Sequence, residues 1–168
     1  LFIGSPLQSG ATTLLAGFVE QTNASGWNEA VGLTFAPDGR VLVWERGGRV
    51  WAVTNGVKSS TPFLDISEEV GNWGDFGMHG FCLDPDFDSN GRVYLLYTVD
   101  HHHLTKFGTA NYNPNTSETF LGSIGRVTRY TAYATNGFQS IDYSSRKVLL
   151  GESISNGIPT VHQSHGMG

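Results

Sequence analysis

Apolar positions along the chain come in short runs, each only a few residues long, with turn dipeptides between them. The first such runs are Leu33-Thr34-Phe35, Val41-Leu42-Val43-Trp44, Val50-Trp51-Ala52-Val53 and Phe63-Leu64-Asp65-Ile66. Asp38-Gly39, Gly47-Gly48, Asn55-Gly56, Asn90-Gly91 and Asn136-Gly137 punctuate the pattern. Such dipeptides supply the positive φ angles of tight hairpin turns, so the pattern predicts antiparallel β-strands.

The pattern occurs twice. Gly32-Leu33-Thr34-Phe35-Ala36-Pro37-Asp38 matches Gly80-Phe81-Cys82-Leu83-Asp84-Pro85-Asp86 at an offset of 48 positions. Gly39-Arg40-Val41-Leu42-Val43 then matches Gly91-Arg92-Val93-Tyr94-Leu95 at an offset of 52, the four extra residues falling in the turn. Gly48-Arg49-Val50 pairs with Gly125-Arg126-Val127, and Pro62-Phe63-Leu64-Asp65-Ile66 with Lys147-Val148-Leu149-Leu150-Gly151. Four antiparallel strands per copy, repeated in order, is the signature of propeller blades. The expected fold is therefore an all-β propeller. Residues 31–70 form its first blade, and 71–155 a second blade with a loop insertion near 101–123. Residues 156–168 read as the run-in to a third blade, and 1–30 as an N-terminal segment that supplies the closing strand of the last. Two blades and a stub cannot close a ring of ~4–8 blades, so the sequence is expected to be a fragment of a longer polypeptide or a piece of an assembly.

Composition changes this picture little. Charged residues are 15% and aromatic residues 12%, with 22 Gly, as a strand-and-turn protein requires. A net charge of −5 argues against nucleic acid or an anionic membrane as partner, and no apolar run is long enough to span a bilayer. Cys82, the only cysteine, sits in an apolar run and is expected to be a buried small hydrophobe.

Several clusters invite a chemical reading. Asp86-Phe87-Asp88-Ser89-Asn90-Gly91 fits the first half of a calcium loop, but the twelfth position is Tyr97 where a bidentate Glu is needed. It is read as a hairpin turn. His101-His102-His103 is read as an exposed loop, because neighbouring side chains on an extended chain point to opposite faces, so only two could share an ion, and no carboxylate or Cys cluster lies nearby apart from Asp100. His162 and His165 lack a local third metal ligand, but a His followed by Gly could reach into a channel as a general base. Asp75, just ahead of the second inner strand, is either a turn residue or a group facing the mouth of the channel, as His165 would be one blade later. Asn23-Ala24-Ser25 and Asn115-Thr116-Ser117 are glycosylation sequons.

The runs from Leu33 to Arg40, Gly77-Met78-His79-Gly80-Phe81, Asp84-Pro85-Asp86-Phe87, Gly125-Arg126-Val127-Thr128-Arg129-Tyr130 and Ser164-His165-Gly166 resemble the soluble quinone-dependent glucose/sorbosone dehydrogenases. The resemblance implies a six-bladed propeller, of which this chain supplies about two blades and the start of a third. It implies pyrroloquinoline quinone (PQQ) and calcium as cofactors in the full-length protein, held mostly by residues beyond Gly168. It further implies a sugar or sugar-derived substrate, a separate electron acceptor, and a periplasmic or extracellular location. By the same resemblance His165 is the catalytic base, with His162 as second choice, and Asp75 and Ser164 contact substrate. Members of the family carry Gln where this chain has Asp75, and in some an acidic residue stands at the position of Ser164. The alternatives to a dehydrogenase are a non-catalytic carbohydrate- or protein-binding propeller and, more weakly, a lactonase-like metal site.

Overall fold

In a computed structural model describing residues 15–160, the strands assemble into two antiparallel sheets. The first contains β1 (Ala30–Phe35), β2 (Val41–Glu45), β3 (Arg49–Thr54), β4 (Val57–Lys58) and β5 (Leu64–Asp65). The second contains β6 (Met78–Leu83), β7 (Arg92–Thr98), β8 (Ile124–Ala132), β9 (Ile141–Leu150) and β10 (Ile158–Pro159). Each sheet is a meander, β1-β2-β3 or β6-β7-β8, whose outermost position is shared by two pieces. On β3 these are β4 and β5, and on β8 they are β9 and β10. The chain is thus all-β, two adjacent blades of a propeller.

The sequence repeat is reproduced in the hydrogen-bond register. Gly32 lies opposite Trp44 and Gly80 opposite Leu96, and in both sheets the register slips immediately before that glycine. The slip is a bulge, an extra residue that bends the inner strand, and it falls on Val31 in one copy and His79 in the other. Gly32 is forced by packing: a Cβ there would lie 2.1 Å from a ring carbon of Trp44. The fourth strands differ by one residue from the sequence alignment. Val50 faces Leu64 while Val127 faces Leu150, not Leu149, because β8–β9 contains its own register shifts.

One expectation gains detail and one needs correction. The Asp86–Gly91 turn joins antiparallel β6 and β7 as a hairpin does, and it is built on a single helical turn, α1 (Phe87–Asn90), ended by Gly91 at φ 62°. Asp84 fixes it, accepting from the Asp86 backbone N–H, the Asn90 amide and the Tyr94 hydroxyl at 3.1, 2.9 and 2.7 Å. Cys82 is exposed. Alternation along β6 turns Phe81 into the core, so its neighbour Cys82 falls on the opposite face beside Tyr94.

The core lies between the sheets. Leu42, Val50, Phe63, Leu64 and Ile66 from the first meet Met78, Phe81, Val93, Leu95 and Tyr97 from the second. The Phe81 ring is 5.9 Å from Trp44 and 6.3 Å from Phe63, centroid to centroid. At its edge is a buried ionic cluster. Glu69 accepts from Arg126 at 2.5 Å, Arg146 at 2.8 Å and the Tyr97 hydroxyl at 2.6 Å. Val31, Leu33 and Phe35 on β1, and Tyr143, Leu149 and Leu150 on β9, stay exposed. Among the described residues no helix is long and apolar enough to cross a membrane.

Candidate active site

The loop from Gly71 to Gly77 leads into β6, and both its ends are tied to β7. The Gly71 N–H donates to the Thr98 carbonyl, and the Thr98 N–H donates to the Gly77 carbonyl, each at 2.9 Å. Arg46, from the β2–β3 turn, reaches across and donates to the Gly74 carbonyl at 2.5 Å. Its guanidinium is held in turn by Glu29, with both carboxylate oxygens 2.9 Å from Nη2. A glycine is required at 77: its φ is +148°, and a Cβ would lie 2.3 Å from Arg46 Cγ and 2.9 Å from the Arg46 carbonyl. Phe76 is buried and anchors the loop from inside, while Asp75 beside it is exposed. The loop therefore presents a carboxylate on a pinned backbone just ahead of β6.

His79, the bulged residue of β6, had no role in the sequence reading. Its Nε2 lies 3.2 Å from Thr98 Oγ1. Burial pushes the imidazole below its ordinary value, and the nearby Asp75 carboxylate offsets this only in part. The group is thus biased toward its neutral form, able to donate or accept one hydrogen bond. The one sequence signal for it was the repeat, which puts a polar side chain at the bulge where the first copy has Val31.

The histidine triplet is not an exposed loop. It opens α2 (His101–Lys106), with Asp100 as N-cap accepting from the backbone of His102 and His103. His102 and His103 are buried. They are spent on local structure: His102 Nε2 accepts from the Asn113 N–H at 3.1 Å, and His103 Nδ1 lies 3.0 Å from the Tyr112 hydroxyl. Tyr112 in turn donates to Glu68 at 2.6 Å. The physical reason is the cap: Asp100 satisfies the free N–H groups of a first turn that would otherwise be extended. The remainder of the insertion returns to the loop ahead of β6. His101 Nδ1 is 2.7 Å from the Gly122 carbonyl, and the Phe120 ring lies 5.1 Å from Trp73.

A cleft of about 470 Å³ opens beside the buried ionic cluster, between β5, β8, β9 and α2. Glu69, Arg126, Arg146, Tyr130 and His103 line it. Burial pushes the Glu69 carboxyl up, but Arg146, the Tyr97 hydroxyl and Arg126 outweigh burial and hold it below the usual carboxylate range. Glu69, from the segment that joins the two sheets, is thus paired with Tyr97, Arg126 and Arg146 of the second. Of the site residues expected from sequence, Asp75 is exposed on the loop ahead of β6, and His162, Ser164 and His165 lie outside the described residues.

A family model for glucose/sorbosone dehydrogenase matches residues 27–136. Among curated proteins, the chain is 33% identical over 75 residues to the HIPL2 protein of Arabidopsis thaliana, covering 38% of this chain and 11% of that protein. Among solved structures, it resembles the PQQ-bound form of aldose sugar dehydrogenase from Streptomyces coelicolor, with TM-score 0.56 and 22% identity. That match covers 85% of this chain and 34% of the other. A glucose dehydrogenase-type oxidoreductase from Thermus thermophilus matches with TM-score 0.59 and 22% identity, over 88% of this chain and 34% of the other. The chain thus spans about a third of the length of these structural relatives, and far less of the plant protein. The family match, the two repeated sheets and the shared architecture agree: the chain belongs to the glucose/sorbosone dehydrogenase family.

Proposed function

We propose that the full-length protein carrying this chain oxidises an aldose, or a related sugar alcohol or aldehyde, using PQQ and calcium. The observation that carries this reading is the family match over residues 27–136. The PQQ-bound aldose sugar dehydrogenase among the structural relatives supports the choice of cofactor.

The described residues do not themselves fit that cofactor. Among them, no three His, Cys, Asp or Glu side chains converge as metal ligands. Arg46, the cation bonded to the Asp75 loop, has its guanidinium committed to Glu29 and to the Gly74 carbonyl, which leaves it poorly placed to clamp a quinone carboxylate. The reading therefore assigns quinone and calcium to other residues of the full-length protein, where the quinone supplies the two-electron acceptor.

For this chain the reading assigns three tasks. His165 takes the proton of the substrate hydroxyl as hydride leaves the carbon that bears it, with His162 as second choice. Asp75 accepts a hydrogen bond from a substrate hydroxyl, and Ser164 contacts the same sugar. Asp75 stands where family members carry Gln, and a carboxylate that only accepts selects for hydroxyl groups pointing at it. In this reading residues 31–70 and 71–155 are the first two blades, residues 1–30 contribute the closing strand of the last, and 156–168 lead into the third. The protein works in the periplasm or outside the cell and passes its electrons to a separate acceptor.

The test is His165→Ala beside His162→Ala in the full-length protein. Loss of the base lowers kcat by roughly 10²–10⁴-fold while the fold persists by circular dichroism. Normal turnover by His165→Ala would sink the base assignment. A folded wild type that binds sugar and oxidises none would leave the non-catalytic binding propeller.

A further inference from the structure

Trp73 and Phe120 are both exposed, at 41% and 54%, although each is a large apolar side chain. They come from different segments, the loop that carries Asp75 and the end of the insertion, and their ring centroids lie 5.1 Å apart with planes at 61°. The two rings pack edge to face and together leave an exposed apolar patch. The Trp73 backbone is itself hydrogen-bonded, and the chain just beyond Phe120 is tied down. The Trp73 carbonyl accepts from the Phe76 N–H at 2.8 Å and its neighbour Gly74 is held by Arg46. Two residues beyond Phe120, the Gly122 carbonyl meets His101 Nδ1 at 2.7 Å, and Ser123 Oγ donates to the Val99 carbonyl at 2.5 Å.

We propose that Trp73 and Phe120 form a stacking platform for a sugar ring beyond the one that reacts, so that an oligosaccharide with an aldose end is preferred over the free monosaccharide. This rests on the sugar-oxidising reading above, in which Asp75, two residues from Trp73, contacts the reacting sugar. A pyranose has an apolar C–H face and a rim of hydroxyls. An aromatic ring covers the former, as aromatic side chains bury much apolar area while losing little conformational freedom. The carboxylate of Asp75 accepts from the latter. A platform already fixed by its backbone bonds pays little ordering cost when the second ring docks.

The experiment compares the full-length protein with Trp73→Ala, Trp73→Phe and Phe120→Ala. Calorimetry measures the Kd of 1,5-anhydroglucitol and of 1,5-anhydromaltotriitol, neither of which has the hydroxyl at C1 that is oxidised. The ratio of trisaccharide Kd to monosaccharide Kd rises about tenfold in Trp73→Ala, rises in Phe120→Ala, and stays near wild type in Trp73→Phe, which keeps a ring. A ratio unchanged in both alanine variants overturns the platform. If the ratio responds but the wild type oxidises no sugar, the platform stands and the dehydrogenase reading fails. If sugars are oxidised and the ratio is indifferent, the platform alone fails.

Discussion

Arg46 and Gly74, 28 residues apart in sequence, meet through a guanidinium-to-carbonyl hydrogen bond of 2.5 Å that links the turn of one sheet to the loop entering the next. Because Glu29 holds the same guanidinium, the loop bearing Asp75 is positioned by an ion pair that lies outside it. Arg46→Ala is expected to cost about 1 kcal/mol of stability, since the pair is partly exposed and only one carbonyl loses its donor. Its larger effect is on the loop. Hydrogen exchange at Met78, whose N–H donates to the Arg46 carbonyl, should remain slow, while the amide of Phe76, which donates to the Trp73 carbonyl within the loop, loses protection.

Gly77 sits under the same arginine. Gly77→Ala has nowhere to put its methyl group and must also hold φ +148°, so a loss of about 2 kcal/mol or more is expected. Gly39 is the control, with φ +88° but nothing within 4 Å of where a methyl group would sit. Gly39→Ala should cost only the backbone penalty of about 1 kcal/mol. Urea unfolding of the two variants measures the difference directly.

His79 gives a pH prediction. Its folded value lies below the ordinary 6.5, because burial penalises the charged ring more than Asp75 favours it. The unfolded chain therefore takes up this proton first as pH falls. The stability tied to the neutral imidazole is fully present above about 6.5 and is lost as pH drops through the lower folded value. A nuclear magnetic resonance titration of the ring should give a midpoint below 6.5. Asp75→Asn should lower it further, since the carboxylate is what raises it. An unchanged midpoint would mean that the two side chains do not interact.

The Glu69 cluster acts on the same acid limb, at lower pH. Its folded carboxyl is held below the ordinary 4.5, so the stability it contributes is present above that pH and is lost as pH falls toward and through the folded value. Glu69→Gln leaves Arg126 buried without its counter-charge and is expected to cost about 3–5 kcal/mol. The same variant should flatten the acid limb of the stability profile, as measured by denaturant unfolding at a series of pH values.

What the sequence made legible was whatever repeats. Matched Gly32 and Gly80, and matched Gly-Arg-Val runs at 48–50 and 125–127, identified two copies of one sheet, and the registers of β1–β2 and β6–β7 agree. Features set by a single local exception or a distant partner were hidden. The helix at His101 depends on one capping carboxylate, Asp100, in a chain otherwise read as extended. The side of β6 on which Cys82 lies depends on which phase of the alternation the core selects, and Phe81 takes the core. Glu69 finds Arg126 and Arg146 from 57 and 77 residues away, and no spacing rule reaches that far. The platform of Trp73 and Phe120 is of the same kind.

The measurement that bears most directly on the dehydrogenase reading is sugar-dependent reduction of bound quinone, followed by its absorbance, in the full-length protein loaded with PQQ and calcium. The account predicts that adding an aldose reduces the quinone in the wild type and that His165→Ala slows this step by at least about a hundredfold. Quinone that binds and stays oxidised with every sugar tried would contradict it.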